Sequence, residues 1–134
     1  MRQYVESDED PLRKIHAAQD SPYAFPNLRN PLFLTKIVLR DQDQAGERVL
    51  GAALLRLTAE AYLLLDPSHG SPRQRWQALL ALHNAALQDA QQRGLEDVHA
   101  WLPPRIASTF GRRIERLGWR RDDAWTPYCK RFYD

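Results

Sequence analysis

The sequence predicts a mixed α/β fold of the α+β kind: one domain over residues 1–134, with a mostly antiparallel sheet and helices on both faces. Three observations carry that expectation. Residues 60–94 pass from an apolar strand, through a turn of Asp, Pro, Ser, His and Gly, into one long amphipathic helix. Ahead of that helix, apolar segments at 32–39, 48–57 and 61–65 are separated by short connections, as hairpin-linked antiparallel strands are. Behind it, residues 97–102 (DVHAWL) read as another strand, and a strand–helix–strand crossover makes the two strands flanking the helix parallel.

From the start of the chain, residues 2–5 read as a short strand. SDEDP then marks a helix start, with acidic residues in the first turn and Pro11 near the first position. Leu12, Ile15 and His16 would form its buried stripe. Residues 20–31 carry three prolines and two aromatics and form a loop. Its Tyr23 and Phe25 either cover the core or line a substrate mouth. Strand 32–39 leads through the turn 41–47 (DQDQAGE) into strand 48–57, where Gly51 marks a bulge or a close backbone approach. Segment 61–65 is apolar throughout, as a strand covered on both faces is.

The long helix has a well-marked beginning. Ser71 can cap it, Pro72 suits its first position, and Gln74 completes a capping box. Trp76, Leu79, Leu80, Leu87 and Ala90 share a face with His83 and Ala86, and Gly94 ends the helix. After Pro103 and Pro104, a second helix carries Ile106, Phe110, Ile114 and Leu117 on one side and stops at Gly118. Residues 119–121 and 128–132 read as the last strands.

These elements aim a helix N-terminus at the end of a strand. Free amides and the helix dipole there favour an anion such as phosphate or pyrophosphate, and Arg73 and Arg75 add formal charge. Composition narrows the other classes. Nineteen basic and seventeen acidic residues nearly balance, which argues against the whole chain being a nucleic-acid or membrane binder. The single cysteine, Cys129, fits a reducing compartment. With no signal-peptide pattern after Met1 and no apolar run of bilayer length, the expectation is a cytoplasmic protein. His16, His69, His83 and His99 show no metal-ligand spacing, so no metal is expected. Arg112, Arg113, Arg116, Arg120 and Arg121, with Trp125, make a basic stretch that could track a nucleic-acid backbone. At helical spacing, Arg112, Arg113 and Arg116 fall opposite the apolar stripe, which is the pattern of a solvated helix face.

The element order, the segment LLLDPSHGSPRQRW and the ending RRIERLGW together resemble the GNAT N-acetyltransferase family over nearly the whole chain. Leu65, Asp66 and Pro67 match the start of its phosphate loop, and Gly118–Trp119 is similar to its closing Gly-Phe. The resemblance implies acetyl-CoA or another acyl-CoA as co-substrate, held by Leu64, Leu65, Asp66, Ser71, Arg73, Gln74, Arg75 and Trp76. It also implies direct attack of a substrate amine on the thioester, with the Leu65 amide on the oxyanion. Glu60, Asp66 and His69 are the candidate bases. Tyr128 or Cys129 would supply the proton for sulfur, because Ile114 stands where the family often has Tyr. The acceptor would be a small-molecule or peptide amine, with specificity in the loop from Tyr23 to Pro31, where Tyr23 and Phe25 lie, and in the C-terminal strands; the sequence leaves a homodimer open. A second reading keeps the fold as a binding module without transfer chemistry. It rests on the absence of the two glycines with which the family's phosphate loop lets its backbone approach the pyrophosphate, on Pro72, which removes an amide donor, and on Ile114.

Overall fold

A computed structural model of the chain describes residues 1–132. The architecture is mixed α+β, and the backbone divides into two compact units, Met1–His99 and a second that begins at Ala100. The first unit holds β1 (Arg2–Gln3), a 3-10 turn (Glu6–Asp8), α1 (Glu9–Ala18), β2 (Phe33–Asp43), β3 (Gly46–Arg56), β4 (Ala59–Glu60), α2 (Pro72–Gln92) and β5 (Val98–His99). The second holds α3 (Pro104–Glu115). No helix among the described residues is long and apolar enough to cross a membrane.

Strands β1, β2 and β3 form an antiparallel sheet in that order. The β2–β3 hairpin is longer than the sequence predicts. Its ladder runs on through Asp41 opposite Arg48 and Gln42 opposite Glu47, leaving Gln44 and Ala45 as the turn. Opposite charges facing across the strands favour that extension. The turn closes on Gly46, whose φ of +114° suits glycine, and the Asp43 carboxylate accepts the Ala45 N–H at 2.9 Å. The bulge expected at Gly51 is present: Leu39 pairs with Gly51 and Arg40 with Val49, so Leu50 is the extra residue. A Cβ on Gly51 would meet no atom within 4 Å, so close approach is not its role.

One sheet face builds the core. Leu12 from α1, Leu28 from the loop and Val38 from β2 are buried together, with Tyr4, Ile15, Phe25, Phe33, Val49 and Leu54 packed around them. The Lys36 ammonium donates to the Leu28 carbonyl at 3.0 Å and lies 5.4 Å from the Tyr4 ring, which fastens the loop over this face. The opposite face is less covered, with Leu39 and Leu55 about half exposed or more.

Several expected strands do not form. Parallel pairing of the strands flanking α2 is present, but only as Ala59 with Val98 and Glu60 with His99. This pair is a separate two-stranded sheet and does not continue the antiparallel one. Residues 61–65, expected to be a strand covered on both faces, make one ladder-like bond among the described residues, Ala61 N–H to His99 carbonyl at 2.7 Å, and leave Leu64 89% exposed. A strand is only as long as its partner, and β5 stops at His99, shortly before Pro103 and Pro104. Residues 119–121 and 128–132 are likewise not strands, having no ladder partner among the described residues.

The acidic SDEDP segment does more than start a helix. Asp8 is 2% exposed and receives both Arg2 guanidinium nitrogens at 2.6 Å, together with the Val5 N–H at 2.9 Å. Arg2 also reaches Glu47 at 2.8 Å, and Glu47 accepts from Arg40 at 2.8 Å. The Arg2 hydrogen bonds hold the carboxyls of Asp8 and Glu47 below their ordinary range. Removing one partner of a buried, hydrogen-bonded pair strands the other, so Asp8→Asn should cost about 3 kcal/mol in denaturant unfolding. A cost under about 0.5 kcal/mol would contradict this. Because both folded-state values are depressed, the linked stability is present above the unfolded carboxylate pKa of about 4 and is lost as pH falls through the lower folded values. The variant's unfolding midpoint should therefore fall less than the parent's as pH drops below about 4.

Candidate functional site

The candidate anion site at the start of α2 takes its shape from local hydrogen bonding. Ser71 Oγ accepts the Gln74 N–H at 3.2 Å, and Gln74 Oε1 accepts the Ser71 N–H at 2.7 Å, completing the capping box. The Arg75 N–H bonds the Ser71 carbonyl at 3.0 Å, and its guanidinium donates to the Gly70 carbonyl at 2.7 Å. Pro72 has no N–H. Among residues 71–75, the Arg73 amide is left as the donor without a hydrogen bond among the described residues. The helix start thus satisfies most of its own donors, and what it offers an anion is the dipole, one amide and the side chain of Arg73.

Gly70 enters the helix with φ +68°, and a Cβ there would stand 2.5 Å from Gln74 Oε1. Upstream, Asp66 Oδ1 accepts both the N–H and the Oγ–H of Ser68, at 2.9 and 2.8 Å. These bonds close the turn and hold the Asp66 carboxyl below its ordinary range, which weakens it as a base. Glu60 is exposed, and its carboxylate near the Tyr62 phenol pushes that phenol's pKa up. Leu65 is half-buried, His69 is exposed, and Trp76 is half-buried at the head of the α2 stripe. Along that stripe Leu79 and Ala90 are buried and Leu80, His83 and Leu87 half-buried, whereas Ala86 is exposed and not part of the buried face.

The aromatic loop has a different setting. Tyr23 and Phe25 both meet the His16 ring edge-on, with centroids 5.1 and 5.7 Å away, and His16 Nε2 is buried without a hydrogen-bond partner among the described residues. Phe25 packs on the core and also carries the Arg13 guanidinium 4.5 Å above its ring. It shares a shallow concavity of about 380 Å³ with Glu9, Arg13 and Arg29. None of the residues lining that concavity comes from α2 or the turn before it. Tyr128 and Cys129 belong to the second unit, in a stretch without regular structure, and Tyr128 is 93% exposed. Among the described residues, no three His, Cys, Asp or Glu side chains gather as a metal site would require.

No family model, curated protein or solved structure matches this chain. Its candidate site therefore stands on geometry. The sequence reading missed Tyr62, two residues from Glu60, and the grip of Glu9 on Arg13 at 2.8 Å, although the i,i+4 spacing of that pair was a usable signal.

Gly70→Ala tests how tightly the turn and cap are joined. Strain at positive φ together with displacement of the Gln74 amide should cost about 1–2 kcal/mol by thermal or denaturant unfolding. Stability equal to the parent's would show that the capping box does not depend on this glycine.

Proposed function

We propose that this chain is an acyltransferase of the GNAT type, which moves an acetyl or related acyl group from acyl-CoA to an amine acceptor. The observation that carries the reading is the parallel β4–β5 pair flanking α2, whose ladder ends after two residues and is followed, across residues 61–71, by the capped start of the helix. A crossover of this kind sets a helix N-terminus beside the carboxyl end of a strand, where α/β proteins hold phosphate-bearing ligands.

In this reading the pyrophosphate of CoA is held by charge more than by backbone amides. Arg73 supplies its free N–H and its guanidinium, and Gly70 keeps the approach clear of a Cβ. Arg75 adds charge while its guanidinium remains on the Gly70 carbonyl. The Leu65 N–H serves as oxyanion donor, a role that needs no particular side chain. Glu60 takes the proton of the attacking amine as the nitrogen bonds to the acyl carbon and the carbon–sulfur bond breaks. The CoA thiolate departs and takes its proton from solvent.

A second reading, a GNAT-like module that binds without transfer, is favoured by the capping box, since Ser71 and Gln74 spend their amides on each other. Calorimetric titration with acetyl-CoA, followed by release of free thiol with a panel of amines, separates the two. The enzyme reading expects saturable heat, thiol release with at least one amine, and at least about tenfold weaker binding in the Arg73→Ala, Arg75→Ala double variant, as loss of charge-assisted contacts to phosphate gives. Heat without thiol release would leave the binding module. No heat at high protein concentration would overturn both as acyl-CoA proteins.

A further inference from the structure

The two units share the chain's charge unequally. Eleven basic and thirteen acidic residues lie up to His99, against eight basic and four acidic after it. Ion pairing divides in the same way. Six arginines of the first unit, Arg2 and Arg56 among them, meet carboxylates. In the second unit Arg121 pairs with Asp123, but Arg105, Arg112, Arg113, Arg116 and Arg120 meet no carboxylate among the described residues.

Helix geometry arranges these charges. At 3.6 residues per turn, Arg105, Arg112 and Arg116 fall within about 40° of one another, a row roughly 16 Å long. Arg112 and Arg113 stand in the last turn of α3, where the helix dipole alone would favour cations. That account fails for Arg105, in a first turn with no acidic residue, where the dipole disfavours a cation. It fails also for Arg120, which lies beyond the helix.

The same unit exposes aromatic side chains. Tyr128 and Phe132 are more than four-fifths exposed, and Trp101 and Trp125 half exposed or more. A compact unit of this length has a radius of gyration of about 8–9 Å, so arginines and aromatics lie within reach of one extended ligand.

We propose that the second unit binds single-stranded nucleic acid, with the Arg105, Arg112 and Arg116 row on phosphodiester oxygens and the exposed aromatics stacking on bases. Guanidinium groups fork onto phosphate oxygens, and aromatic faces accept any base, so the surface recognises the polymer with little regard to its sequence. An anionic membrane would need the apolar stripe of α3 as well. Phe110, Ile114 and Leu117 of that stripe are already half-buried in protein.

The test uses the full chain and fluorescein-labelled oligo(U) and oligo(dT) of about 20 nucleotides, read by polarisation. With each of the three arginines of the row neutralising one phosphate, binding should be roughly 20-fold weaker at about 200 mM than at about 50 mM salt. The Arg112→Glu, Arg116→Glu double variant should bind at least tenfold more weakly, and Arg112→Gln with Arg116→Gln should lie between it and the parent. Arg48→Glu, at an exposed position of the first unit, should bind within threefold of the parent. A preference for oligo(U) over oligo(dT) would assign RNA, and equal affinity either polymer. No binding at the lower salt, salt-independent binding, or equal loss in Arg48→Glu would overturn the proposal. Partition onto phosphatidylserine vesicles with no oligonucleotide binding would overturn it in favour of a membrane surface.

Discussion

A backbone amide that leaves water needs an acceptor, and in this chain the supply of acceptors decides where regular structure can persist. Strands β2 and β3 supply one another for eleven residues each, so even their polar ends remain in register. Beside β5, which is two residues long, the apolar run after β4 finds one backbone acceptor among the described residues and then none. At the head of α2 the capping box meets the same demand internally. The hydrogen bonds that make this helix start so definite also reduce what it can offer a ligand.

Charge does the remaining fastening in the first unit, where few side chains are fully buried. Arg2 joins the chain's beginning to the 3-10 turn through Asp8 and to the hairpin through Glu47. Arg56 joins the end of β3 to Glu96 and Asp97, just ahead of β5, and Asn30 reaches Glu96 from the loop at 2.9 Å. These contacts orient α1 and the aromatic loop over a core centred on Leu12, Leu28 and Val38. The second unit keeps most of its arginines outside such pairs, and this contrast makes its surface chemistry unlike that of the first.

Local signals proved readable where the chain itself satisfies them. The α2 cap is written in Ser71, Pro72 and Gln74, three residues that need no distant partner, and Gly51 marked its bulge because a missing side chain is a local fact. Apolar composition misled at residues 61–65, since hydrophobicity says that a segment could be covered but not that a partner strand of equal length exists. Asp8 looked like a helix-start acid; its burial depends on Arg2 reaching it across six residues, which periodicity does not reveal. The candidate site divided accordingly. The Ser71–Arg75 turn was legible, while the influence of Glu60 on the Tyr62 phenol and the stacking of Arg13 on Phe25 required three dimensions.

Residue-resolved amide hydrogen exchange tests the hydrogen-bond account most directly, because it reads each donor's partner in solution. Amides along β2 and β3 should be strongly protected and that of Gln74 measurably so, while those of Arg73 and residues 62–65 should exchange near the rate of unstructured chain. Protection across 62–65 comparable with that of β3 would mean that the segment is a paired strand, and would contradict the claim that its partners run out.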